Sequence, residues 1–306
     1  MSTLQKIRQS DLLHNFLRDP LAVGSFFVLL VLVAAGFLSP LIAPHDPYDT
    51  TTIDIMDSEM PPAWMDGGES RFLLGTDSQG RDLLSTILYG MRVSILIGIG
   101  AVVLQAFLGI FIGLTSGYVG GRLDAFLMRV ADVQLSFSTY MVAIFIGAIF
   151  KTIFGVGLYA QVAVPFLIMV IGFAEWPQYA RTVRASVLAE KKQEYVEAAR
   201  VIGFPSSRIM WRHILPNALT PVLVISTVQV ANAIMSEAAL SFIGLGMPVT
   251  RPSLGSLIKI GFEYVFSGTW WITLFPGIVL VLLILAINLL GDWLRDYLNP
   301  KLYKGA

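Results

Sequence analysis

Leu21–Ala43 is a run of 23 residues without a charged side chain. As a helix rising about 1.5 Å per residue, it is long enough to cross a hydrocarbon core of ~30 Å. Comparable stretches recur at Val93–Tyr118, Phe126–Phe150, Leu158–Trp176, Ala218–Gly244 and Trp270–Leu290. In lipid, every backbone N–H and C=O must find a partner within the protein, and a helix supplies these partners locally. The repetition predicts an all-α polytopic membrane protein with six transmembrane helices. Composition agrees: 14% of residues are charged, where a soluble domain carries about 25%. The first run exceeds the apolar region of a signal peptide, and Pro44 directly after Ala43 is a poor cleavage context, so it is read as an uncleaved span.

Several chemistries are set aside by the same residues. Cysteine is absent, which removes disulfides, thiolate metal sites and cysteine nucleophiles. His14, His45 and His213 are far apart and show no ligand spacing, so no metal site is expected. No GxxxxGK[ST] phosphate loop occurs, so ATP is not held by that device in this chain. Paired carboxylates and His-rich sets are missing from the spans, so no catalytic residue is nominated. No nucleic-acid partner is expected.

The distribution of Lys and Arg sets the orientation. With both termini cytoplasmic, the segments 1–20, 119–125, 177–213 and 291–306 hold 14 Lys and Arg, against 6 in 44–92, 151–157 and 245–269. The positive-inside rule therefore places residues 177–213 in the cytoplasm. The chain divides into a cytoplasmic N-terminal segment 1–20, a first span 21–43 and an extracytoplasmic loop 44–92 with an elbow helix. A five-helix core 93–290 and a cytoplasmic tail 291–306 follow.

Between the fourth and fifth spans lies the polar stretch Glu194–Pro216. Tyr195, Ala198, Ala199 and Ile202 fall at i, i+3, i+4 and i+7, one face of a helix. Gly203 suits the helix-closing C′ position, and Pro205 forbids continuation. Ser206 is expected to cap a second short helix, Ser207 to about His213, before Leu215-Pro216 re-enters the apolar region. The product is a compact helical knob, and Ala198 and Ala199 let another backbone approach it.

Other features carry weaker signals. In the acidic outer loop, Asp77 or Ser78 is expected to cap the elbow helix through Leu83, Leu84, Ile87 and Leu88. Gly109 and Gly113 form a GxxxG pair that permits close packing. Arg129 and Asp132, three apart, are expected to pair. In the fifth span Gln229, Asn232 and Ser236 share a face, next to the intramembrane carboxylate Glu237, and all four are candidates for lining a translocation path. Glu237 is equally readable as a tie between helices.

Glu197-Ala198-Ala199, Gly203 and Leu215-Pro216 resemble, at matching spacing, the EAA motif of bacterial ABC-importer permeases; His213 stands at the motif's aliphatic position. Leu74–Leu84 (LGTDSQGRDLL), Gly117–Val133, LSFIGLG (240–246) and PSLGSLI (252–258) are similar to the dipeptide/oligopeptide subfamily, which usually has Phe-Pro where this chain has Phe137-Ser138. The resemblance implies a type I ABC importer permease of the bacterial inner membrane. It implies a coupling helix built from Glu194, Glu197, Ala198, Ala199, Gly203, Phe204, Pro205, Leu215 and Pro216. It further implies a second homologous permease, two ABC ATPase subunits using ATP and Mg, and an extracytoplasmic binding protein. Di- or oligopeptides are the implied cargo; nickel, opine and sugar importers share the architecture. An ion-coupled carrier, with Glu237, Glu175 or Asp132 relaying ions, is the competing class, and a membrane-embedded enzyme a third.

Overall fold

A computed structural model describes residues 11–49, 51 and 53–298; Lys6, Arg8 and the tail beyond Leu298 lie outside the described residues. Asp11–Arg18 forms α1 and Pro20–Phe37 forms α2. Asp19 caps α2 by accepting from the Leu21 and Ala22 amides, and Pro20 sits in the first turn, where its missing N–H costs nothing. Pro40 stops the first span short of Ala43: the chain bends at Leu38 into the single turn α3, Ser39–Ile42.

The elbow helix expected before the second span does not exist as a separate element. Leu83–Val119 is one 37-residue helix, α4, so the span begins ten residues before Val93. Its cap is Asp82, whose Oδ2 accepts from the Ser85 amide at 2.8 Å. Neither Asp77 nor Ser78 caps it. At about 55 Å, α4 projects well beyond a hydrocarbon core of ~30 Å.

The third and fourth spans are joined more tightly than the predicted Lys151–Gly157 turn. After α5, Gly121–Ser136, the chain is extended at Phe137 and resumes as α6, Thr139–Glu190. A 52-residue helix would be about 78 Å long, far more than one crossing needs. It is divided at Gly155, whose backbone (φ 81°, ψ 159°) is closed to other residue types. Five helices among the described residues are long and apolar enough to span a membrane, and the longest, divided at Gly155, has the length for two crossings.

The break at Phe137-Ser138 forms without a proline. Ser138 has φ −65° and makes no side-chain cap, and Phe137 before it is extended at ψ 140°. These are the values that proline imposes on itself and on its predecessor. Ser138→Pro is therefore expected to raise stability by about 0.4–1 kcal/mol through the unfolded chain. The thermal midpoint of the detergent-solubilised protein should rise; a fall would show that the break is not preset for proline.

Glycine lets α4 and α6 meet at backbone distance. A Cβ on Gly109 would lie 2.2 Å from Tyr179 Cβ, and one on Gly113 would lie 2.4 Å from the Ala180 carbonyl oxygen. The close packing expected of this pair is present, and Gly117 extends it one turn further, against Val187. The expected Arg129–Asp132 pair is not: Asp132 bonds Arg181 on α6 instead. One turn along, Arg184 forks onto Asp124 with two 2.6 Å hydrogen bonds, which with the Ser116 hydroxyl hold that carboxyl below the usual carboxylate range. Both carboxylates of α5 are thus paired across to arginines of α6, Asp124 through a bidentate fork and Asp132 through a single contact.

The fifth span, α10, is Thr220–Phe242, and the sixth, α12, is Trp271–Leu298. The outer connection between them holds an unexpected buried helix, α11, Leu254–Tyr264, opened by a capping box between Ser253 and Ser256. Gly255 packs on the Ala238 backbone and Gly261 on Thr273, wedging α11 between α10 and α12. The core has two main parts. Ile97, Leu167, Ile171, Tyr179, Val183 and Leu240 join α4, α6 and α10. Leu83, Met91, Ile95, Leu254, Ile272 and Leu283 join α4, α11 and α12.

Candidate functional site

The knob between the fourth and fifth spans is a rigid piece of local chemistry. Glu194–Val201 forms α7, with Glu194 and Glu197 in its first turn, where the helix dipole favours negative charge, and Arg200 in its last. It closes in a Schellman motif: the Gly203 amide donates to the Arg200 carbonyl at 3.0 Å and the Phe204 amide to Ala199 at 3.1 Å. Gly203 takes the left-handed backbone the motif requires, φ +87°. Pro205, with φ −65° and ψ 146°, then starts the next helix as its N-cap.

That second helix differs from expectation. Ser206 lies within the first turn, α8 (Ser206–Arg208), and makes no cap. Instead of ending near His213, the chain runs on through a π-helical segment, Ile209–Ile214, into α9, Leu215–Ala218. Pro216 has no N–H to give the carbonyl four residues back, and the widened π turn accommodates that defect. His213 is accounted for: its ring stacks on Phe204 at 5.7 Å with 22° between planes, and the Arg208 guanidinium lies 5.3 Å from the same Phe204 ring centre.

The knob is anchored at both ends. Lys191 donates to the Tyr118 carbonyl at 2.6 Å, tying it to the end of α4. The Tyr195 hydroxyl donates to Glu190 and accepts from Asn217 Nδ2 at 2.9 Å, which links its entry to its exit. No sequence spacing announced these bonds, since Tyr195 and Asn217 are 22 residues apart.

The face of α7 that carries Tyr195, Ala198 and Ile202 is left open. Val196 and Ala199 face inward and join Val183, Val187, Ile209 and Ile214 in the core. Tyr195, Ala198 and Ile202 point outward, with Val201 beside them; Val201 is 89% exposed and Ile202 70%. Of that face only Ala199, at its edge next to Val196, is interior. An apolar outward face held on a hydrogen-bonded frame has the form of a docking surface.

The fifth-span candidates divide. Glu237 is fully buried and is a tie: its carboxylate accepts from Ser94 on α4 at 2.8 Å and from Ser241 at 2.6 Å, and Ser241 accepts from Ser253. Of the two readings open for Glu237, the tie is the one these bonds support, each oxygen being occupied by a hydroxyl. Ser236 is buried as well. Gln229 donates to Glu175 on α6 at 3.3 Å and accepts from Asn232 at 2.8 Å. Gln229 and Asn232 face a groove of about 510 Å³ shared with Gln178, Thr220 and Arg295. Among the described residues no group of His, Asp and Glu could hold a metal ion.

The outer motif Leu74–Leu84 is interior rather than exposed. Asp77 accepts from the Gln79 and Arg81 amides and, at 2.7 Å, from Arg81 Nε, while Arg81 Nη1 reaches the Val249 carbonyl at 2.9 Å. Both charges are withdrawn from solvent. Trp271 Nε1 donates to the Thr76 carbonyl. The motif fastens the outer loop to the connection ahead of α11 and to α12.

Comparison with known proteins agrees with this architecture. Residues 109–304 match the model of the family described as the binding-protein-dependent transport system inner membrane component. Residues 10–62 match the N-terminal transmembrane domain of oligopeptide transport permease C. The chain is 37% identical, over 96% of its length and 92% of the relative's, to a di/tripeptide transport system permease protein of Pseudomonas aeruginosa (strain UCBPP-PA14). It is 39% identical to the dipeptide transport system permease protein of Escherichia coli (strain K12), covering 94% and 92% of the two chains. An inward-facing structure of the MetNI methionine ABC transporter is a more distant likeness, 21% identical with a TM-score of 0.48 over 67% of this chain and 94% of that one. The chain belongs to the binding-protein-dependent transport system inner membrane component family, as a multi-pass, non-catalytic permease subunit of a bacterial ABC importer that works with ATPase and binding-protein partners.

Proposed function

We propose that this permease passes di- or oligopeptides, released by an extracytoplasmic binding protein, across the inner membrane. It does so beside a second, homologous but distinct permease. Two ABC ATPase subunits, holding ATP and Mg, drive it through the knob at Glu194–Pro216. The observation that carries the coupling role is the outward apolar face of Tyr195, Ala198, Val201 and Ile202 on a frame bonded to α4, α6 and α9. A rigid knob transmits displacement: force on α7 passes to α6 and α10, the spans on either side of it. Glu197, Gly203, Phe204 and Pro205 shape the knob, and Leu215 and Pro216 join it to the fifth span. Gln229 and Asn232, on the groove beside Glu175, are the residues proposed to meet cargo. The peptide cargo is supported by the relatives, whose names are those of dipeptide and di/tripeptide permeases.

Reconstitution tests this function. Labelled dipeptide should enter proteoliposomes only with both permeases, the ATPases, the binding protein and ATP present. Gly203→Pro should lower uptake at least about tenfold with membrane insertion intact, because proline cannot adopt φ +87° and has no amide for Arg200. Uptake by this chain alone under a proton gradient would contradict the proposal.

A further inference from the structure

Residues 44–70 of the outer loop contain seven acidic residues and no Lys or Arg. Within them Ile55–Asp57 forms a single 3-10 turn whose two apolar side chains point away from the protein: Ile55 is 80% exposed and Met56 88%. Exposure of this kind in a mobile loop would mean little. This turn, however, is clamped from beneath. Asp54 caps it by accepting from the Met56 amide at 2.9 Å. Asp57 bonds Arg71 at 2.6 Å, and the Ser58 hydroxyl donates to the Ser78 carbonyl. The Glu59 amide donates to the Asp77 carbonyl while Glu59 itself holds φ +58°, a left-handed backbone that non-glycine residues rarely adopt.

Glycine completes the clamp. A Cβ on Gly80 would lie 2.1 Å from the Asp54 carbonyl oxygen, and one on Gly75 would lie 2.5 Å from that of Met60. Both glycines belong to the LGTDSQGRDLL stretch, whose buried Asp77–Arg81 pair fastens it to Val249. That motif is thus the pedestal of the turn, and a strained, many-times-bonded pedestal presents two hydrophobic side chains to the extracytoplasmic solvent.

We infer that Ile55 and Met56 form an apolar docking tip for the extracytoplasmic binding protein, seated in an apolar depression rimmed by Lys or Arg. The surrounding charge selects this occupant over the membrane surface. A bilayer with anionic headgroups repels a segment carrying seven acids and no base, whereas a basic rim on a protein complements Asp54 and Glu59. Arg71, held between Asp57 and Glu69, offsets one of these charges and leaves the segment strongly negative, with Asp54 and Glu59 outside that pairing. The inference rests on the importer proposal, since a binding protein must visit this face.

The test uses the full transporter in proteoliposomes with its purified, peptide-loaded binding protein. Ile55→Ser with Met56→Ser should raise the binding-protein concentration giving half-maximal stimulation of ATP hydrolysis at least about tenfold, the usual weight of a central apolar contact. Hydrolysis without binding protein and assembly of the complex should not change. Asp54→Asn with Glu59→Gln should raise the same concentration less and flatten its dependence on salt. A photo-cross-linking residue at position 56 should attach to the binding protein. An unchanged half-maximal concentration, or cross-links only to lipid or to the second permease, would overturn the inference. Failure of the unsubstituted transporter to respond to ATP and binding protein at all would overturn the importer proposal instead.

Discussion

Arg81→Met is expected to destabilise the outer segment by about 3–5 kcal/mol, the usual cost of stranding one member of a buried ion pair. Arg81 is 2% exposed and Asp77 fully buried, so neither charge has water to fall back on. Removing the guanidinium leaves the Asp77 carboxylate with only its two backbone donors, and frees the Val249 carbonyl as well. Adding Asp77→Asn should recover most of the loss. An Asn side-chain oxygen still accepts from the Gln79 and Arg81 amides, and no charge remains to be desolvated. Hydrogen exchange across residues 53–82 measures this directly. Protection should collapse in the single variant and return in the double; equal protection in all three proteins would mean that the pair does not hold the loop.

Gly113→Ala is expected to cost about 1–3 kcal/mol or more, the range for overpacking a tight interface. The new methyl would meet the Ala180 carbonyl oxygen at 2.4 Å and Val183 Cβ at 2.8 Å, and backbone cannot rotate aside as a side chain can. Gly24→Ala is the matched control. Nothing lies within 4 Å of its added Cβ, so helix propensity alone should leave that variant unchanged or stabilise it by up to about 1 kcal/mol. Opposite shifts in the thermal midpoints of the two detergent-solubilised variants are the expected result. Equal shifts would show that α4 and α6 do not meet at backbone distance.

Local chemistry explains which parts of this molecule were legible in its sequence. Apolar length announced the spans, and Gly203 with Pro205 announced the turn after α7, because each depends on a few neighbouring residues. Whatever depended on a distant partner was not legible. Asp132 chose Arg181, 49 residues away, over Arg129 on its own helix, and Glu237 found Ser94 at a separation of 143. Helix α11 stayed hidden because 11 residues are too few to read as a span, although Ser253 and Ser256 already carried its capping signal. The spacing of Tyr195, Ala198, Ala199 and Ile202 did not say which of them would pack inward: Ala199, at the edge of that face next to Val196, turns to the core while the other three stay outside.

The coupling role of α7 has one direct measurement. The chain contains no cysteine, so Val201→Cys, at a site 89% exposed, introduces a unique thiol. A thiol-specific photo-cross-linker attached there in the assembled transporter within inverted inner-membrane vesicles should join this chain to an ATP-hydrolysing subunit. The thiol should be closed to membrane-impermeant maleimide applied from the extracytoplasmic side. Cross-links that contain no ATPase, or labelling from the extracytoplasmic side, would contradict the account.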